Sequence, residues 1–148
     1  MKEKSIRIIF WAMVAVFVIL IVAIFALNEL SRDIPFGYIM PAALVIFIGL
    51  GIALIVLTVK KKIEGKPKAF LLLTGASAVG MPVFVVLHNL VYALLILWFG
   101  EDFWGAMGDE PVFFIMATIV CPIGFLAGMV GTIVVTIRNR PHITAGIP

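Results

Sequence analysis

The sequence predicts an all-α membrane protein, a four-helix transmembrane bundle with short connections and a long third helix kinked near Pro82. Three observations predict it. Of 148 residues, 64% are hydrophobic and only 13% charged, whereas soluble domains run at about half apolar and a quarter charged. Uncharged apolar runs at 8–27, 34–59, 69–100 and 111–137 each reach the roughly 20 residues that a helix needs to cross a hydrocarbon core about 30 Å thick. Within each run the apolar residues are continuous rather than alternating, so each run satisfies its own backbone as a helix and not as a barrel strand.

These runs predict helices over 8–29, 35–59, 69–99 and 111–137, forming a single domain. The first follows Lys2, Lys4 and Arg7 and so resembles a signal peptide. It outruns the roughly 7 to 15 residues of a signal h-region, however, and no small-x-small cleavage site follows it, which makes it a retained helix. The second carries Gly49 and Ala53, four apart. The third carries Ala76 and Gly80 at the same spacing, then Pro82 and His88. The fourth carries the row Gly124, Gly128 and Thr132, flanked by Ala127 and Gly131. Small residues one turn apart let two backbones approach, and van der Waals contact then replaces the hydrophobic drive that lipid does not supply. These rows are read as the packing faces of the bundle, with a dimer or partner interface as the alternative. Pro82 removes a backbone hydrogen bond and crowds the carbonyl four residues back, predicting a kink or short break near 78–81, and Pro122 predicts the same in the fourth helix.

Pro35, Ile39 and Met40 align on Pro111, Ile115 and Met116, a weak echo of the kind a duplicated helical hairpin leaves. Charge is segregated as well. The net charge is +3, and every lysine and arginine except Arg32 lies before the first helix, between the second and third (Lys60, Lys61, Lys62, Lys66, Lys68), or after the fourth (Arg138, Arg140). The positive-inside rule therefore places both termini and the lysine connection in the cytoplasm. The acids Glu29, Asp33, Glu101, Asp102, Asp109 and Glu110 fall in the two other connections. Their spacing lacks the regular oxygen-ligand pattern of a calcium loop and reads as a solvated acidic face. Trp98, Phe103 and Trp104 fit an aromatic belt at the membrane interface, with Trp11 and Tyr38 a weaker counterpart. Cys121 is the lone cysteine and can form no intramolecular disulfide.

His88 is the one ionisable side chain placed well inside a run. Counting at 1.5 Å per residue sets it about 16 Å below the outer end of the third helix, and Cys121 about 14 Å below that of the fourth, depths at which the two could meet. Asn89 adjoins it, and Tyr92 lies one turn further on the same face. Intramembrane histidines relay protons, ligate haem or metal, or hydrogen-bond a quinone. A structural role is favoured: a neutral imidazole tying its helix to a neighbour. Cofactors are accordingly none, with haem or quinone at His88 as the alternative, and no metal site is expected.

No Asp, Glu, Lys or Arg lies inside the four runs, where ion-coupled transporters, proton pumps and voltage sensors usually carry them. Cys-x-x-Cys, His-Glu-x-x-His and paired intramembrane aspartates are missing too. The expectation is a non-enzymatic protein whose partners are the lipid bilayer and other membrane subunits or its own copies, and not nucleic acid. The alternatives are an oligomeric pore or facilitator gated near Pro82 and Pro122, and the haem or quinone site at His88.

Overall fold

The computed structural model describes the backbone of residues 4–30, 36–107 and 110–138, and the side chains of 4–23, 42–105 and 110–138. All regular structure among these residues is helical. Helix α1 spans Lys4–Leu30, α2 Phe36–Lys60 and α3 Gly65–Phe99. Helix α4 spans Pro111–Arg138, and a 3-10 segment at Glu101–Met107 precedes it. Each of α1 to α4 contains a stretch long and apolar enough to cross a membrane. The helices overrun several predicted ends. Lys4, Arg7, Lys60 and Lys66 are helical because a charge ends an apolar run without ending the hydrogen-bond ladder, and at a helix terminus its side chain stays solvated. The turn between α2 and α3 is tight. Lys62 adopts a left-handed conformation (φ 48), and the Ile63 amide donates back to the Thr58 carbonyl at 3.3 Å.

Pro82 lies inside α3, which stays α-helical through 78–81 rather than breaking there. A departure from α geometry occurs in α4, where Met116–Val120 is π-helical and the Cys121 amide donates to the Met116 carbonyl five residues back. Pro122 follows immediately. Lacking an N–H, it leaves the carbonyl of Thr118 without its usual donor, and the wider turn accommodates that gap. Thr118 Oγ1 donates in turn to the Phe114 carbonyl at 2.7 Å.

Helix α3 is the hub, packing against α2 on one side and α4 on the other. The core is aromatic on the α1 side. Ile6, Phe10 and Met13 are buried at helical spacing, and Phe17 one turn on stands 6.1 Å from Phe47 and 4.4 Å from Phe125, ring centre to ring centre. Phe47 and Phe125 close the triangle at 5.5 Å, joining α1, α2 and α4.

Elsewhere glycine sets the distance between helices. A Cβ on Gly51 would fall 3.2 Å from the Gly75 carbonyl, and one on Gly75 would fall 3.0 Å from the Gly51 carbonyl. Helices α2 and α3 thus touch backbone to backbone, through a pair the spacing of Gly49 and Ala53 did not indicate. Around Gly49 a Cβ would meet nothing within 4 Å, Ala53 is half-buried, and Ala76 on α3 is exposed. These three lie off the close approach because the contact runs through the adjacent faces of both helices. Residues 35–40 of the echo, Tyr38 among them, and the acids Glu29, Asp33 and Asp109 lie outside the residues whose side chains are described.

Candidate functional site: the seam between α3 and α4

The two helices meet antiparallel along a ladder. A Cβ on Gly131 would enter the Phe70 ring, and one on Gly128 would stand 2.7 Å from the Thr74 amide nitrogen and 2.9 Å from the Phe70 carbonyl. On Gly124 it would meet Ser77 Oγ at 2.5 Å, and on Gly80 it would meet Cys121 Sγ at 2.9 Å. The sequence row Gly124, Gly128 and Thr132 therefore faces α3, with Thr132 buried beside it. Gly80 faces α4 through Cys121. Thr74 Oγ1 donates within α3 to the Phe70 carbonyl at 2.7 Å, whereas Thr132 Oγ1 on α4 is buried without a hydrogen-bond partner among the described residues.

Above Gly80 the character of the seam changes. Helix α3 ends at Gly100 (φ 90), whose amide donates to the Ile96 carbonyl, and the 3-10 segment turns the chain back along α3. Trp104 stacks on Tyr92 with ring centres 5.9 Å apart and planes 14° from parallel. This fold-back sets the start of α4 beside His88 rather than beside Phe99. Glu110 is its N-cap, the carboxylate accepting from the amides of Val112 at 2.8 Å and Phe113 at 2.9 Å. Pro111 follows at the first helical position, where a missing N–H costs nothing.

His88 Nδ1 lies 3.0 Å from the Glu110 carbonyl oxygen and 3.4 Å from its Oε2. A carbonyl oxygen can only accept, so Nδ1 carries the hydrogen and donates. The imidazole is mostly enclosed, with its side chain 15% exposed against 6% for Glu110, and Phe114 packs on it with ring centres 5.6 Å apart. A cap and a largely enclosed histidine are thus one unit. The histidine fixes where α4 begins, and the carboxylate serves the helix dipole and the imidazole together.

Three expectations are corrected by this geometry. Glu110 is no part of a solvated acidic face, being buried at 4% exposure, whereas Glu101 and Asp102 are exposed as expected. Cys121 does not meet His88 but lies against Gly80, eight residues lower on α3 and so about 12 Å away along the axis. The depth estimate failed because it set the outer ends of α3 and α4 level. Trp104 turns inward onto Tyr92 with its Nε1 buried and unpartnered among the described residues, while Trp98 is 71% exposed. Asn89 is exposed and spends its amide on the Val85 carbonyl at 2.8 Å. Among the described residues no three His, Cys, Asp or Glu side chains come together as a metal site would require.

Sequence reasoning missed Glu110 as a site residue, although an acid directly before a proline that opens an apolar run is an N-terminal capping signal. It also missed Ser77, Phe70 and the Gly51–Gly75 pair, for which no single-sequence signal separates one face of an apolar helix from another. Comparison with protein-family models, curated proteins and solved structures gives no match. The fold and seam define a class: an all-helical chain with four helices long and apolar enough to span a membrane, closed by a glycine ladder below and a capped histidine above.

Proposed function

We propose that this is a non-enzymatic integral membrane protein that works by contact, as an accessory subunit of a larger membrane complex or as a homo-oligomer. The observation that carries the reading is where its polar groups go. Thr58, Thr74 and Thr118 each donate to a carbonyl one turn back, Asn89 does the same, and His88 is joined to the cap of α4. Four of these side chains are thus spent on their own helix backbone and His88 on a neighbouring helix, and among the described residues Thr132 Oγ1 is the buried hydroxyl left without a partner. What the bundle turns outward is apolar, as in the row Val83, Val86, Leu90, Leu94 and Leu97 along α3.

The small residues support the pore reading less well, since those of α4 touch α3 instead of lining a channel. Both termini and the 61–64 turn are assigned to the cytoplasm on the distribution of lysine and arginine. A photo-crosslinking residue at Leu94 is expected to capture a protein partner, either another subunit or a second copy, at stoichiometric yield in native membranes. Adducts to lipid alone would overturn the contact role. In a Cys121→Ala background, Glu64→Cys should label from the cytoplasm and Asp102→Cys from outside, and the opposite pattern would invert the topology.

A further inference from the structure

At the opposite end of the seam from His88, the first turns of α3 and the last turns of α4 line a cavity of about 600 Å³. Its volume is that of an ordinary small-molecule site, about 300–1,000 Å³. Its lining is divided by chemistry. Lys66 and Arg138 stand at the mouth, and Phe70, Gly131, Val134 and Val135 form the wall that runs down between the helices. The floor is where the glycine ladder begins, with the Phe70 ring laid over Gly131 so closely that a Cβ there would collide with it.

The mouth is electropositive for reasons beyond the two side chains. Helix α3 is 35 residues long and opens with no acid in its first turn, and its N-cap, Glu64, makes no side-chain capping bond. The amides of that turn and the dipole behind them therefore point at the mouth. Lys60, Lys61, Lys62 and Lys68 lie near it in sequence without lining the cavity, against Glu64 as the one acid of the connection. Val134 is 53% exposed on the outer surface of α4, so the apolar wall continues onto the face of the bundle that lipid would cover.

We infer that this cavity is a binding site for an anionic phospholipid, the phosphodiester held by Lys66 and Arg138 and one acyl chain laid along Phe70, Gly131, Val134 and Val135. The two halves of the lining match the two halves of such a lipid. Arg138 offers a planar fork to two phosphate oxygens, and Lys66 a mobile point charge. A soluble anion would leave the apolar wall unused, and a neutral lipid would leave the cations unused. Basic pockets between membrane helices at the basic end of a bundle recognise headgroups in this way.

The inference rests on the chain spanning a bilayer, and the experiment separates the two. The full chain and its variants are reconstituted in nanodiscs of phosphatidylcholine, alone or mixed with phosphatidylglycerol of the same acyl chains. Lipid retained after release is then counted by native mass spectrometry. Incorporation into pure phosphatidylcholine discs tests the bilayer reading by itself, and its failure would remove that reading whatever the lipid count. Wild type is expected to retain phosphatidylglycerol selectively. Near a surface each cation contributes roughly a fivefold preference, so Lys66→Gln with Arg138→Gln should lower retention about thirtyfold. Lys60→Gln with Lys68→Gln, cations outside the cavity, should leave most of it, and soluble glycerol phosphate should not compete. Equal losses in the two double variants would mean a diffuse surface potential and overturn the site. Full competition by glycerol phosphate would overturn the lipid as its occupant.

Discussion

The lower and upper halves of the α3–α4 seam hold the same two helices together by opposite means. Below, from Phe70 to Gly80, contact depends on side chains that are missing. Gly124, Gly128 and Gly131 leave room for Thr74, Ser77 and Phe70, and backbone lies nearly against backbone. Above, from His88 to Tyr92, contact depends on long side chains that reach: an imidazole to a cap, an indole folded back onto a phenol. The lower half fixes the distance between the helices and the upper half fixes their relative height. Distance is intolerant of added atoms, whereas height is held by bonds that can be removed one at a time.

The sharpest way to break this contrast is Gly128→Leu. The added atoms meet the Thr74 amide nitrogen and the Phe70 carbonyl, backbone groups that cannot swing aside. The cost should sit at or above the upper end of the usual overpacking range, about 3 kcal/mol. Thermal unfolding in detergent reads it, and a wild-type midpoint would show that the glycine row does not set the spacing.

Removing the reach of the upper half should cost less. Glu110→Ala deletes a cap, about 0.5 to 2 kcal/mol, and leaves His88 the Glu110 carbonyl. His88→Leu should lose about 0.6 to 2 kcal/mol, the measured scale of interhelical hydrogen bonds in membranes, and His88→Gln less, because an amide can still donate. The double variant should lose less than the sum of the two single losses. Strict additivity in that cycle would mean that the carboxylate adds nothing to the link and that the Glu110 carbonyl alone ties His88 to α4.

The smallest effect sharpens the contrast from the other side. Gly49 has the spacing of a packing glycine but open space around it. Gly49→Ala is therefore expected to be neutral or to stabilise by up to about 1 kcal/mol, since alanine is the better helix former. A marked loss of stability would place a partner on that face.

The same contrast explains how much of the molecule was legible beforehand. Four helices and their approximate limits follow from apolar runs because composition alone decides what can satisfy its backbone in lipid. The Gly124, Gly128 and Thr132 row is readable because closeness of helices leaves a trace at fixed spacing. The same rule misplaced Gly49 and Ala76, since an apolar helix carries little amphipathic signal to say which small residues turn inward. Pairing at a distance leaves no such trace. Glu110 looks like any other acid of its loop until the 3-10 segment brings it beside His88. Nor does the depth of Cys121 follow from counting, because counting assumes that neighbouring helices end level.

The fold-back of the 3-10 segment Glu101–Met107 also gives the molecule two rims. One is at His88 and Glu110, where α4 begins; the other is at Trp98 and Phe99, where α3 ends, about 16 Å higher at 1.5 Å per residue. From Lys66 to His88 the same count gives about 33 Å, close to the hydrocarbon thickness of an ordinary bilayer. The exposed Leu90, Leu94 and Leu97 stand above that height. A membrane that ends at the lower rim leaves an apolar spike to be covered by protein, and one that ends at the upper rim must thicken around α3 or tilt it. In a bilayer, the way one short loop turns back would thus build hydrophobic mismatch into a single helix.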